Sequence, residues 1–187
     1  GKTAVLSALL GLNPLSGFKY DKIRDYPRRH LVRYEERHAK EDARVAATEW
    51  QLSQADRSIV EGTLGEGCLT SDAIEIESTF GDSPTFWIIQ LDDAKVVKHL
   101  LTKHGVKGPE LAKFGKVSSD KLIAEIDSTD QPSDALKAVK VELASYRKGR
   151  PTLKAIDLLN ARLPKFFYTS HYDRMSGEIS VNKLQDD

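Results

Sequence analysis

The chain begins with Gly-Lys-Thr at positions 1–3 and continues directly into an apolar stretch at positions 4–10. Apolar residues fall on nearly every side of a helix through this stretch, so the pattern predicts a helix that is buried on most sides. An Asn-Pro pair at positions 13–14 ends the helix, because the residue before a proline disfavours helical backbone. The first element of the fold is therefore predicted to be a core helix preceded by a glycine.

Gly-Lys-Thr before such a helix is also the end of the phosphate-binding loop G-x-x-x-x-G-K-[ST], the Walker A motif. Gly1 would let the backbone approach a phosphate, and the N–H groups of the first turn, up to that of Ala4, would point at the anion. Lys2 is the predicted catalytic residue because its ammonium would neutralise the β- and γ-phosphates, and Thr3 is the predicted Mg²⁺ ligand. ATP and Mg²⁺ are thus the predicted cofactors. The alternative is that Thr3 only caps a core helix while Lys2 lies in solvent.

The rest of this motif, including its first glycine and the strand before it, would precede Gly1. The sequence is therefore interpreted as a fragment that begins inside its own nucleotide site, unless the tripeptide arises by chance. We expect such a fragment to hydrolyse nothing alone, although the intact protein would be an ATPase.

The composition is that of a globular protein with one domain, or with one domain and a small insertion. The chain has 187 residues, of which 40% are apolar and 30% charged. No apolar run reaches the length of a membrane span and no signal peptide is recognisable, so a cytoplasmic protein without membrane contact is predicted. The one cysteine, Cys68, excludes an intramolecular disulfide and a zinc site built on cysteines.

Charge is divided along the chain although 28 basic residues balance 28 acidic ones. Residues 1–40 have nine Lys and Arg against four Asp and Glu, residues 41–93 two against twelve, and residues 137–165 eight against two. Such blocks predict either distinct faces for distinct partners or faces that complement each other within the fold.

Periodicity predicts the following elements. In the first half they are a charged helix at 28–38 with a basic exposed face, a strand at 44–52, a helix at 55–64 ended by Gly65, and a β-hairpin of 73–79 with 85–91. In the second half they are helices at 94–104, 119–126, 133–147 and 152–163, the last two joined as an αα-hairpin by Gly149 and Pro151, and then strands at 165–169 and 178–181.

Two acids, Asp92 and Asp93, follow the apolar stretch 86–91. A hydrophobic strand followed by acids is the composition of a Walker B site, which holds Mg²⁺ and polarises a water. The alternative is that one of these acids is the N-cap of the next helix. The predicted hairpin favours the cap, because Walker B needs a central parallel strand.

Residues 1–9 resemble the phosphate-loop end of AAA-type P-loop ATPases related to the overcoming-lysogenization-defect and structural-maintenance-of-chromosomes proteins, which fold like ABC ATPase heads. Residues 20–29 and 163–172 are also similar to bacterial ATP-binding proteins of this group. The resemblance implies an α/β P-loop fold, of which this chain would be an α+β part with antiparallel edge strands around the phosphate-loop helix. It implies a partial nucleotide-binding lobe at 1–93, a helical insertion at 94–163 and a returning strand segment of the ATPase lobe at 164–187.

The same resemblance implies a mechanism. Two heads of such proteins sandwich ATP, so the intact protein is expected to be a head-to-head homodimer that closes on ATP and opens on hydrolysis. ABC-type heads place a glutamine that contacts Mg²⁺ and water after an early strand, a position that Gln51 matches, although its side chain could equally lie in solvent. No LSGGQ-like segment occurs, so the rest of the site is expected in a C-terminal lobe.

Two other functions remain open. Many relatives act on DNA, and a basic stretch with Tyr146 among its lysines and arginines could lie along DNA phosphates. That stretch consists of Lys137, Lys140, Arg147, Lys148, Arg150 and Lys154. The rival from another class is a non-enzymatic α+β interaction module with acidic and basic docking faces.

Overall fold

The computed structural model describes residues 2–15, 17–81 and 85–168. In these residues the protein is α+β, with a three-stranded antiparallel sheet and helices on either side of it in the chain. The elements before and within the sheet are α1 (Lys2–Leu10), α2 (Lys22–Asp25), α3 (Arg28–Leu31), α4 (Tyr34–Arg37), β1 (Arg44–Gln51), α5 (Gln54–Leu64), β2 (Ala73–Thr79) and β3 (Thr85–Ile88). Those after it are α6 (Asp93–Lys103), α7 (Gly108–Phe114), α8 (Ser119–Asp127), α9 (Asp134–Ser145), a 3₁₀ turn (Arg147–Gly149) and α10 (Pro151–Asn160).

Helix α1 forms where it was predicted, but the described residues do not bury it. Val5 is 61% exposed and Leu6 45% exposed. Among the described residues, the C-terminal half of α1 supplies its contact with the core, where Leu9 packs. The expectation of a helix buried on most sides is therefore wrong for this part of the chain, because an all-round apolar pattern does not itself supply neighbours on every side.

The predicted continuous helix at 28–38 is also wrong. The chain forms the one-turn helices α3 and α4, and the backbone of Arg33 between them leaves helical geometry at φ −105° and ψ 20°. The break directs the Tyr34 side chain towards a small aromatic core. There the ring of Tyr34 packs edge to face on the ring of Tyr26, with the two ring centroids 4.8 Å apart. Its hydroxyl donates to Asp42 at 3.1 Å and accepts from the Ala43 N–H at 3.0 Å. Tertiary packing of Tyr34 thus overrides local helix propensity.

The predicted strand and hairpin are confirmed, although β3 ends at Ile88 and Leu91 forms only an isolated bridge with Leu69. Strand β2 lies between β1 and β3 and is antiparallel to both. Because side chains alternate across a strand, Ile74 and Ile76 are buried on one face together with Ser78, while Glu75 and Glu77 project from the other. The sheet therefore has an inner face on the core and an outer face.

The helices predicted after the sheet are confirmed, and α7 is an addition to them. It begins at Gly108 with Pro109 in its first turn and buries Phe114. The turn between α9 and α10 contains Gly149 at φ 63°, and Pro151 is the first residue of α10. It does not make a packed αα-hairpin, however, because α10 packs mainly against α5 whereas α9 packs mainly against α8 and α6.

One apolar core joins the sheet to the helices that follow it. It includes Val60 of α5, Ile76 of β2, Leu100 of α6, Leu143 of α9 and Leu159 of α10, all buried. Residues of this core thus come from both sides of position 93, which is the predicted boundary between the nucleotide-binding lobe and the helical insertion.

The predicted strand at 165–169 is represented by a single parallel bridge between Pro14 and Phe166. The N–H of Leu15 donates to the Phe166 carbonyl and the N–H of Phe166 to the Asn13 carbonyl, both at 2.8 Å. The predicted strand at 178–181 lies outside the described residues. Within the described ranges, no helix has the length and apolar character needed to cross a membrane.

Candidate functional site at the start of the first helix

The N-terminal end of α1 is the site that the sequence predicted. Lys2 is its first helical residue, and Thr3 and Ala4 lie exposed in its first turn; Gly1 lies outside the described residues. The N–H groups of a first helical turn have no partners within the helix, and no acidic residue lies in this turn. Such a helix end favours an anion through its free donors and its dipole.

The opposite end of α1 is fixed to the sheet through one tyrosine. The hydroxyl of Tyr20 donates to the Ala8 carbonyl at 2.6 Å and lies 3.3 Å from the hydroxyl of Ser78, which is fully buried on β2. Burial is the largest cause that raises the pKa of Tyr20. Gly11 makes this approach possible, because a Cβ there would lie 2.1 Å from the tyrosine ring. The C-terminal end of α1 is thus fixed to the sheet, while Thr3 and Ala4 at its N-terminal end are exposed.

Gln51, the predicted Mg²⁺ and water contact, ends β1 with an exposed side chain. Its amide donates to Glu49 at 3.3 Å. Gln51 pairs with Ala73 and belongs to the outer face, whereas Ser78, which links the sheet to α1, belongs to the inner face. The described contacts therefore do not join Gln51 to Thr3.

The two acids after β3 have structural partners. Asp92 is the N-cap of α6 and accepts a hydrogen bond from the Lys95 N–H at 3.1 Å. Asp93 accepts from the Ser119 N–H at 2.9 Å and so ties α6 to the start of α8. The predicted helix cap is confirmed. Among the residues that the structure describes, no group of three or more His, Cys, Asp or Glu side chains is arranged to hold a metal ion.

The basic stretch proposed for DNA is mostly paired within the chain. Its ion pairs are Lys137 with Asp134 at 2.9 Å, Lys140 with Asp127, Arg147 with Asp157 at 2.9 Å and Arg150 with Asp120 at 3.7 Å. Lys154 lies 5.7 Å from the centre of the Tyr146 ring. Lys148 has no ion pair in the described part of the chain. These acids reduce the positive potential that phosphates would meet.

A polar cluster between α6 and α9 was not predicted. The Glu142 carboxylate accepts from Lys103 at 2.7 Å and from the Tyr146 hydroxyl at 2.7 Å, and it lies 2.6 Å from His104 Nε2. Burial alone would raise the pKa of Glu142, but the hydrogen bonds from Lys103, Tyr146 and His104 outweigh it and lower that pKa to about 2. Burial and the bond to Glu142 raise the pKa of Tyr146. Helical spacing links Glu142 to Tyr146, but the sequence contains no signal for the contact with α6.

The exposed face of the sheet, which we call the outer sheet face, was also not predicted from the sequence. We use this term for Glu49 of β1, Glu75 and Glu77 of β2, and Phe86 and Ile88 of β3. Phe86 and Ile88 are 50% and 46% exposed, although the outward positions of a solvated antiparallel sheet are ordinarily polar. Alternation in the hairpin was recognised in the sequence, but which of its faces the core covers depends on the rest of the fold.

Comparison of the chain with protein-family models, with curated proteins and with solved structures finds no match in any of the three.

Proposed function

We propose that this chain belongs to a P-loop ATPase and that residues 1–4, at the start of α1, bind the phosphates of ATP with Mg²⁺. The observation that supports this proposal is the state of α1, which begins at Lys2 and has Thr3 and Ala4 exposed in its first turn. The link from Tyr20 to Ala8 holds the other end of the helix. A fixed helix whose first N–H donors have no partner within the helix is preorganised for an anion at that end, because the donors already point at the position that the anion takes.

In this proposal the residues act through charge and position. Gly1 and the N–H groups up to Ala4 cradle the phosphates, the Lys2 ammonium neutralises the terminal oxygens, and the Thr3 hydroxyl is one ligand of Mg²⁺. These residue types suit a triphosphate, and Mg²⁺ supplies further charge neutralisation when bound. Removing Lys2 from a complete site should lower kcat by about 10²- to 10³-fold, by analogy with other preorganised donors.

The acids and the partner head that complete hydrolysis would come from outside this site. Asp92 and Asp93 are engaged at α6 and α8, so the proposal assigns them no part in Mg²⁺ binding. A head-to-head homodimer closed by ATP remains part of the proposal, and Gln51 remains its candidate for a Mg²⁺ and water contact.

The test is a titration of the protein encoded by the complete gene with a fluorescent ATP analogue, with and without Mg²⁺. We expect saturable binding that requires Mg²⁺ and is abolished by Lys2→Ala. The matched control is Lys121→Ala, which removes an exposed lysine of α8 for which the described residues supply no ion pair. Thr3→Ser should retain the Mg²⁺ requirement and Thr3→Ala should weaken it. Binding that is absent, or that Lys2→Ala leaves unchanged, would contradict the proposal.

A second candidate function is the interaction module. The outer sheet face favours it, because acidic side chains lie there beside Phe86 and Ile88, which are about half exposed. Residues 36–44 border this face at Glu77 and Phe86 across a cavity of about 960 Å³. The two functions are compatible, since α1 approaches the sheet through Ser78 on its inner face.

A further inference from the structure

The side chains of the outer sheet face stand in two rows across the strands. Glu49, Glu75 and Ile88 are register partners in one row, and Ala47, Glu77 and Phe86 are register partners in the next. The first row thus has acidic residues on β1 and β2 and an apolar residue on β3, whereas the second row has an acidic residue on β2 alone, between the alanine of β1 and the phenylalanine of β3. The acidic residues of the face therefore lie on β1 and β2, and its large exposed apolar residues lie on β3.

Among the residues that the structure describes, neither carboxylate of the first row has a cationic partner. In the same residues, Glu49 accepts only from the Gln51 amide, at 3.3 Å, and Glu75 has neither a hydrogen bond nor an ion pair. Side chains directly opposite each other have Cβ atoms about 5 Å apart, and like charges in such pairs destabilise a sheet. Glu77 differs, because Arg44 forms an ion pair with it. A positive group from elsewhere would therefore gain most beside Glu49 and Glu75.

The surface beside this pair has room for such a group. A depression of about 160 Å³ lies between Glu49, Glu75 and Ile88, over the small side chain of Ala73. Long cationic side chains keep their methylene stems on apolar surface and their charge near polar groups. Ile88 would meet such a stem, while the two carboxylates would meet its ammonium or guanidinium.

We propose that the outer sheet face docks a basic amphipathic helix of a partner protein, with its lysines or arginines on Glu49 and Glu75 and its apolar residues on Phe86 and Ile88. Two strand spacings make the face about 10 Å wide, which is the diameter of a helix. Residues four apart in a helix are separated by about 6 Å along the helix axis. Alternate residues of a strand, which is the spacing of the two rows, are separated by roughly 6.6 Å. We choose a basic helix over a second copy of the same face, because the five residues that define the outer sheet face include no cation that could neutralise Glu49 and Glu75 of another copy. This inference goes beyond the proposed ATPase function.

The test measures anisotropy of a fluorescein-labelled helical peptide of Lys, Leu and Ala, with Lys and Leu on adjacent faces, as the full chain is added. We expect saturable binding that the double variant Glu49→Gln/Glu75→Gln weakens about tenfold, and that Phe86→Ser weakens to a similar extent. The matched control is Glu66→Gln/Asp130→Asn, which removes two exposed carboxylates that have no partners in the described part of the chain. This control should change affinity less than about twofold, since it alters net charge alone. Circular dichroism verifies that each variant is folded.

The same peptide with Glu in place of Lys should not bind. The proposal is overturned if the wild-type chain does not bind the basic peptide, if the control weakens binding as much as the variants do, or if neither outer-face variant weakens it. It is also overturned if sedimentation reveals self-association that Phe86→Ser abolishes, since a second copy would then occupy the face.

Discussion

Glu142 lies 2.6 Å from Nε2 of His104 and joins α9 to the C-terminal end of α6. Lys103 and the Tyr146 hydroxyl bind the same carboxylate, which is only 18% exposed. A partly buried carboxylate with three partners stabilises the native state as long as it is ionised, because its burial is offset only by charge-assisted hydrogen bonds.

Replacing Glu142 with Gln should lower the free energy of unfolding at pH 7 by about 1 to 3 kcal/mol. The pKa of Glu142 is lowered from 4.5 to about 2 in the folded protein, a shift that corresponds to on the order of 3 kcal/mol. A lowered pKa gives stability that is present above pH 4.5 and is lost as the pH falls from 4.5 towards 2. The difference between wild type and variant in urea denaturation should therefore shrink over this pH range.

The control for this measurement is Glu125→Gln on α8, where the carboxylate is exposed and has no ion pair among the described side chains. The free energy of unfolding of Glu125→Gln should equal that of the wild type at every pH. A Glu142→Gln variant that loses nothing at pH 7, or whose deficit is the same at pH 2.5 and pH 7, would contradict the assigned role of the cluster.

Gly11→Ala should destabilise the protein by about 1 to 3 kcal/mol. The new Cβ would lie 2.1 Å from the Tyr20 ring, so the link from Tyr20 to Ala8 and Ser78 would have to shift. Gly62→Ala in α5 is the matched control, because nothing lies within 4 Å of its Cβ. It should stabilise the protein by about 0.5 to 1 kcal/mol, since alanine is the better helix former. Thermal unfolding of both variants gives the comparison, and equal effects would show that Tyr20 does not fix α1.

Substitutions at Asp92 separate its role as a cap from catalysis. Asparagine is as good an N-cap as aspartate, whereas alanine lacks the acceptor. Asp92→Asn should therefore retain stability to within about 0.5 kcal/mol, while Asp92→Ala should lose about 1 kcal/mol. ATP hydrolysis by the protein encoded by the complete gene should survive Asp92→Asn. Loss of hydrolysis without loss of stability would instead identify Asp92 as a Mg²⁺-binding acid.

The elements that could be predicted are those whose determinants are close in sequence. The alternation in 73–79 and the Gly/Pro turn after it specify a hairpin, and the acid at 92 specifies the start of α6. The predictions that failed depend on distant partners. Apolar residues on all sides of α1 predict that the helix is buried all round, but the described neighbours cover it on one side only. The helix at 28–38 is broken because Tyr34 packs on Tyr26, and α7 was missed because Gly108 and Pro109 are typical of a turn.

The candidate sites divide in the same way. Gly-Lys-Thr is contiguous, so a helix beginning at Lys2 could be predicted from the sequence. The Glu142 cluster and the outer sheet face combine residues from separate elements, and periodicity does not report which elements are neighbours. Paired acids and bases in the helical part, such as Arg147 with Asp157 at 2.9 Å, likewise become visible only in three dimensions.

Glu75→Lys should stabilise the isolated protein, because it turns a like-charge pair with Glu49 into an opposite-charge pair across β1 and β2. The expected gain in the free energy of unfolding is about 0.3 to 1 kcal/mol and should diminish in high salt. Glu66→Lys makes the same charge change at an exposed position after α5 and should alter stability by less than about 0.5 kcal/mol. Urea denaturation at low and high salt measures both. If Glu75→Lys is neutral or destabilising while Glu66→Lys is neutral, the two carboxylates do not repel each other, and the sheet would have no strain for a basic partner to relieve.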